Sequence, residues 1–236
     1  MKQYRKTLMM LLAIALMGAC KTKTNQVDDR DTPNKGTIRI SVDESFKPVI
    51  EEQIKVHHSS FPDTKIIASY KPEVECLKDL QNDSTRMILI ARGLTKNETA
   101  FFESKLSFQP QFAILAYDAV AVIVNQASKD SVFSITDLKD ILSGKSKRIA
   151  VMDGKNATST VRFLQDSILK GASFGANVVA SKNSADVIDI VSKNVNVVGF
   201  VGLSWVGDSH DPKQQEQLKS IRLALVECVR CVEKGF

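Results

Sequence analysis

The chain has 236 residues with 32 Lys or Arg and 27 Asp or Glu, a formal net charge of +5 at pH 7. This length accommodates one large domain or two small lobes with a substantial core. Aromatic residues make up only 6% of the chain and no basic patch is interleaved with them. The composition therefore does not indicate a nucleic-acid partner or a sugar-stacking surface.

The first twenty residues carry the most specific signal in the sequence. A basic start is followed by an apolar run over 8–17, which is too short to span a bilayer. The run ends at Met17-Gly18-Ala19-Cys20, which resembles the lipobox of bacterial lipoproteins. We therefore expect a signal peptide over 1–19 and an acylated Cys20. A secretory signal with an incidental cysteine is the alternative.

The polar stretch 20–35 predicts a flexible tether between membrane and domain. No other long apolar run follows. We therefore expect a protein of the bacterial cell envelope that lies outside the cytoplasm, in the periplasm, and is held to the membrane by lipid on Cys20.

From residue 37 the pattern alternates strands with helices. The strand over 86–91 is nearly all apolar, which predicts a strand covered on both faces. Thr95 and Glu98 have the spacing of a capping box and open a helix. The other predicted elements here are a strand over 37–42, a helix from Phe46 with Ser45 as its N-cap, a strand over 64–70 and a helix over 73–80.

The run over 113–125 is strand-like and longer than one ordinary strand requires. It could leave one sheet and enter another. Ser134 predicts the cap of the following helix, and Gly144 its end. The remaining predicted elements are that helix over 135–142, strands over 148–152 and 177–180, a helix over 184–192, and strands over 195–201 and 221–226.

Three hydroxyl residues, Thr158, Ser159 and Thr160, stand at the start of a predicted amphipathic helix. A helix start offers unpaired N–H groups and partial positive charge, which suits an oxyanion. An ordinary capped helix explains the same residues. In an α/β fold, however, ligands bind at the carboxyl ends of parallel strands. Ser45 and Arg92 also lie at predicted strand ends.

Several segments of the sequence, taken in their order along the chain, resemble the phosphate-binding proteins of bacterial phosphate ABC importers, a type II periplasmic solute-binding family. The resemblance covers roughly residues 36–226. The matching stretches are Gly36-Thr37-Ile38, Asp43-Glu44-Ser45-Phe46, Ile90-Ala91-Arg92-Gly93-Leu94-Thr95, 117–125, 135–145, 156–163 and Val198-Gly199-Phe200-Val201-Gly202.

The resemblance implies an α/β, two-lobed type II periplasmic-binding-protein fold with two crossover strands, one near 112–125 and one near 198–206. The first lobe would begin with 36–115, and 116–205 would form the second. Residues 206–236 would return to the first lobe, which in the family normally continues further.

The resemblance also implies the ligand-binding residues. Ser45 and the Phe46 amide would contact the anion from the first lobe, and Thr158, Ser159 and Thr160 from the second. Arg92 and Arg162 are further candidates. Arg162 has an outward ion pair as its alternative, and Arg92 a surface salt bridge.

The loop Ala91-Arg92-Gly93 lacks the aspartate with which many family members accept the proton of phosphate. Asp43 or Asp153 could replace it.

Other chemistry finds little support in the sequence. Cys228 and Cys231 form a lone CxxC without the second pair of a metal site, and a disulfide is an option outside the cytoplasm. No nucleophile, base and orienting group assemble, so we expect no enzyme, no cofactor and no metal.

The predicted function is capture of inorganic phosphate by a monomeric solute-binding lipoprotein that serves ABC permease subunits. One alternative is a binder of another tetrahedral oxyanion, molybdate or sulfate. The other is a non-transport sensing or interaction lipoprotein with the same fold.

Overall fold

The computed structural model describes residues 31–82, 84–107, 109–154 and 158–228. The predicted signal peptide, Cys20 and most of the tether lie outside these residues, as does Cys231. The described chain forms two lobes, each built on its own sheet.

The first lobe has a three-stranded parallel sheet in the order β2-β1-β3. Its strands are joined by helices, as parallel neighbours require. The elements are β1 (Gly36–Asp43), a 3₁₀ turn (Glu44–Phe46), α1 (Lys47–Ser60), β2 (Thr64–Lys71), α2 (Glu73–Asp79), β3 (Met87–Leu89) and α3 (Lys96–Leu106).

Two expectations for this lobe are wrong. The strand predicted over 86–91 spans only Met87–Leu89, and it is not covered on both faces, because Met87 is 42% exposed. It lies at the edge of the sheet, with no partner strand in the described chain on the side away from β1. Ser45 is not the N-cap of α1, because the chain first makes the 3₁₀ turn and Asp43 caps it. The Asp43 Oδ1 atom accepts a hydrogen bond from the Ser45 amide at 3.0 Å. The Ser45 hydroxyl is therefore not used for capping.

The second lobe has a five-stranded mixed sheet in the order β7-β6-β8-β4-β9. Strand β6 is parallel to β7 and β8, whereas β4 is antiparallel to β8 and β9. The elements are β4 (Val120–Asn125), β5 (Val132–Phe133), α4 (Ile135–Leu142), β6 (Ile149–Asp153), α5 (Ser159–Phe163) with a π-helical continuation (Leu164–Ile168), β7 (Val178–Ser181), α6 (Ser184–Lys193), β8 (Val197–Gly202), a 3₁₀ turn (Leu203–Trp205), α7 (Pro212–Gln217), β9 (Ile221–Leu223) and β10 (Leu225–Val226).

Alternate residues of the central strands feed two cores, one on each face of this sheet. On one face Val122 and Phe200 pack with Leu142 of α4. On the other face Ile123 packs with Val187 of α6. Burial on both faces explains why β4 and β8 are apolar without a break in the sequence.

The long predicted strand over 113–125 begins only at Val120. Residues 109–119 form no helix or strand, and Leu115 and Tyr117 are 74% and 91% exposed. Apolar composition alone could not reveal that no described strand lies beside this segment.

Residues 206–228 differ from the expected return to the first lobe. Strand β9 pairs with β4 in the second-lobe sheet, and β10 pairs with β5. Across the part of the chain that the structure describes, no helix is both long enough and apolar enough to cross a bilayer.

Candidate functional site

Hydroxyl groups of the two lobes meet in one buried cleft. The Ser45 Oγ atom lies 3.2 Å from Ser159 Oγ and 3.4 Å from Thr160 Oγ1, within hydrogen-bond distance. All three side chains are buried, with 2%, 5% and 2% of their surface exposed. Residues that are more than a hundred positions apart thus converge, as the resemblance implied.

The start of α5 explains which hydroxyls point into this cleft. Thr158 is the N-cap, and its Oγ1 atom accepts a hydrogen bond from the Val161 amide at 3.2 Å. The same hydroxyl donates to the Asp153 carbonyl oxygen at 2.9 Å. Capping therefore occupies Thr158, and the first two helical residues, Ser159 and Thr160, supply the hydroxyls that reach Ser45. Phe46 ends the 3₁₀ turn beside Ser45 and is half-buried.

The two candidate arginines are engaged by glutamates. Arg162 donates to Glu73 from Nε at 2.8 Å and from Nη2 at 3.0 Å. Arg92 donates to both carboxylate oxygens of Glu98, at 2.7 and 2.8 Å, and its Nε lies 3.3 Å from Glu73 Oε1. The Arg92 guanidinium holds the pKa of Glu98 down at about 2. Arg92 thus forms the salt bridge given as its alternative. Arg162 also forms an ion pair, but with a buried glutamate of the other lobe and not with an outward partner.

Two buried carboxyl groups flank the hydroxyls, one from each lobe. Asp43 ends β1 and Asp153 ends β6, with 0% and 1% of their surface exposed. The Oδ2 atom of each is buried and accepts no hydrogen bond from any described residue. Burial raises the pKa of Asp43. Burial, together with the charges of Glu44 and Asp43, raises the pKa of Asp153 to about 7.

The raised pKa of Asp153 makes stability depend on pH. We expect the free energy of unfolding to fall as pH rises from about 4 to about 7. Over this range the folded chain keeps a proton on Asp153, whereas the same carboxyl in the unfolded chain has released it near pH 3.8. One such group contributes at most about 1.4 kcal/mol per pH unit. Asp153→Asn should remove that contribution from the pH dependence of thermal unfolding.

The matched control is Asp189→Asn, which alters an exposed ion pair on α6. It should keep the wild-type slope. A slope that is the same in Asp153→Asn and wild type would contradict the assignment of this proton to Asp153.

Further polar contacts close the cleft around the hydroxyls. Glu44 accepts a hydrogen bond from Ser184 Oγ, at the start of α6, at 2.8 Å. Ser204 Oγ donates to the Ser45 carbonyl oxygen at 2.8 Å. Gly202 packs so closely that a Cβ atom there would lie 2.9 Å from the same carbonyl oxygen.

Sequence reasoning missed Glu73, Glu44, Ser184 and Ser204. Glu73 follows the carboxyl end of β2 after one proline, the type of position already used to select Ser45 and Arg92. That rule could have found it. Ser204 follows the carboxyl end of β8 after one residue and carries the same signal. Ser184 is separated from β7 by two residues, and the tertiary fold brings it to Glu44.

Two cysteines, Cys76 and Cys228, lie among the described residues. Cys76 is a buried free thiol, and burial raises its pKa to about 11. Cys228 is disulfide-bonded. Among the described residues, no group of three or more His, Cys, Asp or Glu side chains could hold a metal ion.

Comparison with known proteins agrees with this architecture. A family model described as a PBP superfamily domain matches residues 28–223. The chain belongs to the PBP superfamily. The fold is the predicted two-lobed type II periplasmic-binding-protein fold.

Among curated PBP proteins, the phosphate-binding protein PstS of Pseudomonas aeruginosa is 25% identical over 166 residues, 61% of this chain and 49% of that protein. The chain spans about half the length of the curated relatives it matches.

Two solved structures show the same fold. The first is a phosphate ABC transporter substrate-binding protein with bound phosphate from Clostridium perfringens. Its TM-score is 0.63 at 19% identity, over 80% of this chain and 84% of that one. The second is the regulatory domain of CcmR from Synechocystis in complex with 2-PG. Its TM-score is 0.59 at 10% identity, over 82% of each chain.

Proposed function

We propose that this protein captures inorganic phosphate outside the cytoplasm and delivers it to the permease subunits of an ABC importer. The observation that carries the proposal is the convergence of Ser45 with Ser159 and Thr160 from opposite lobes. The PstS relatives, which are named as phosphate-binding proteins, support the choice of ligand.

Buried hydroxyls can replace the water around a small anion. An anion that leaves water must regain directed donors, and hydrogen bonds to charged groups are the strong ones. Ser45, Ser159 and Thr160 are already ordered and buried, so little side-chain entropy is lost on binding. The lobes first separate to admit the anion, because these hydroxyls lie only 3.2 and 3.4 Å apart without it. The hydroxyls then donate to the anion, and the lobes close on it without any bond chemistry.

The unpartnered carboxyl oxygen of Asp43, and that of Asp153 above its pKa of about 7, favour phosphate over sulfate or molybdate when they are ionised. A carboxylate beside a bare oxyanion adds repulsion, whereas a hydrogen-bearing phosphate can donate to it. The two arginines do not offset this, because Glu73 and Glu98 pair with them. The cleft therefore suits an anion that brings its own proton.

The proposal includes the placement expected from the sequence. The signal peptide over 1–19 is removed, Cys20 carries the lipid, and a monomer is held by its tether next to the permease. The proposal also takes the lobes to divide at about residue 115. Because β9 pairs with β4 and β10 with β5, it assigns residues 206–228 to the second lobe.

Calorimetric titration of the full chain with phosphate, arsenate, sulfate and molybdate tests the proposal. We expect saturable binding of phosphate and arsenate, with sulfate and molybdate much weaker. Sulfate or molybdate binding as tightly as phosphate would support the broader oxyanion class instead. No saturable binding of any of the four would reject the transport assignment.

A sensing or interaction role is the second candidate, favoured by the acidic character of the cleft. Asp43, Glu44 and Asp153 contribute carboxyl groups to it, and the nearby Arg92 and Arg162 pair with glutamates. This candidate predicts that none of the four anions raises the thermal unfolding temperature.

A further inference from the structure

Glu73 is a buried carboxylate that makes no part of the hydroxyl cluster formed by Ser45, Ser159 and Thr160. It is the first residue of α2 in the first lobe, and 2% of its surface is exposed. Both of its oxygens accept from Arg162 of the second lobe, at 2.8 and 3.0 Å. Its Oε1 atom also lies 3.3 Å from Arg92 Nε of its own lobe.

The two arginines differ in a way that matters for opening of the cleft. Arg92 reaches Glu73 from the same lobe, and it has Glu98 as a second partner at 2.7 Å. Arg162 crosses the cleft, and Glu73 is its ion-pair partner in the described chain. Separation of the lobes therefore breaks the Arg162 pair and leaves the Arg92 pairs in place.

A buried carboxylate is costly when it loses its partner, because desolvation is then not offset. The Arg162 contact is bidentate and joins two charged groups, a geometry that adds strength and fixed orientation. Opening exposes Glu73 to water and so reduces this cost. Even so, the open form loses a double charge-assisted hydrogen bond, because Arg92, the other arginine beside Glu73, is already paired with Glu98.

We propose that Glu73 is a positioning residue that fastens the second lobe to the first through Arg162. It occupies the guanidinium groups of both arginines, so neither contacts the captured anion, and Arg162 is the one that holds the cleft closed. Only the expected change in phosphate affinity rests on the proposed function, because closure can be measured without a ligand.

Small-angle X-ray scattering of the full chain tests this assignment. Arg162→Gln is expected to increase the radius of gyration in buffer free of phosphate. Arg92→Gln removes the other guanidinium from the same carboxylate and should leave the radius at the wild-type value. This matched pair separates a bond across the cleft from a general loss of charge near Glu73.

Three further measurements make the test specific. Glu73→Gln should open the protein as far as Arg162→Gln, and the double variant should be no more open than either single variant. Arg162→Lys keeps the charge but loses the bidentate contact, so it should open the protein partly. Phosphate affinity should fall about 10-fold in Arg162→Gln and much less in Arg92→Gln, as a lost charged hydrogen bond predicts.

Equal radii for Arg162→Gln and wild type would overturn the inference, and so would equal opening in Arg92→Gln. An anion contact of Arg92 would appear as a loss of phosphate affinity without a change in radius, which also contradicts it. If no variant and no wild-type protein binds phosphate, the proposed function fails while the scattering result still decides the role of Glu73.

Discussion

Replacement of Ser159 and Thr160 together by Ala is expected to weaken phosphate binding at least about 100-fold. Each hydroxyl would donate to a charged ligand, and such hydrogen bonds contribute roughly 1.5–3 kcal/mol each. Two of them correspond to a factor of roughly 100 or more, since about 1.4 kcal/mol is tenfold. Calorimetric titration with phosphate measures the loss. Alanine is a good helix former, so α5 should persist in the variant.

The control for this double change is Ser59→Ala with Ser192→Ala. Both of these hydroxyls donate to carbonyl oxygens of their own helices, away from the hydroxyl cluster at the strand ends. We expect wild-type phosphate affinity in the control. If the Ser159 and Thr160 variant kept wild-type affinity with an unchanged circular dichroism spectrum, the hydroxyl cluster would not be the anion site.

Asp43→Asn is expected to weaken phosphate binding by about 10- to 100-fold and to leave sulfate binding unchanged or stronger. The buried Oδ2 atom of Asp43 has no hydrogen-bond partner among the described residues, so a hydroxyl of phosphate can donate to it. The amide that replaces it can instead donate to an anion without a proton. Competition between phosphate and sulfate measures the change in selectivity.

This substitution is matched in shape, and Asn caps a turn as well as Asp does. The 3₁₀ turn that begins after Asp43 should therefore survive. Asp189→Asn, an exposed ion-pair residue on α6, is the control and should keep the wild-type ratio of phosphate to sulfate affinity. A wild-type ratio in Asp43→Asn as well would show that another group sets the selectivity.

Local chemistry explains what could be predicted of the fold. Thr95 and Ser134 form the capping boxes that their spacing to Glu98 and Asp137 indicates. Gly144 adopts a φ of +82° just after α4, a conformation that few side chains tolerate. Such signals depend on residues within one turn of each other, so a single sequence contains all of the information.

Long-range pairing explains what could not be predicted. Whether a strand lies at an edge or in the centre of a sheet depends on its neighbours, and β3 is at an edge despite its apolar sequence. The ion pair between Glu73 and Arg162 joins residues 89 positions apart. The hydroxyl cluster could be anticipated because each member stands at a strand end. The residues around Glu73 in the sequence do not indicate that its partner lies on the other lobe.

The contact at Gly202 also bears on the size of ligand that the protein can enclose. Strand β8 ends there, and a Cβ atom would stand 2.9 Å from the Ser45 carbonyl oxygen. Atoms at that separation overlap, so any side chain at this position would act as a spacer between the two halves. The absence of a side chain at Gly202 thus lets the two lobes approach closely, and under the proposed function a close approach favours compact solutes.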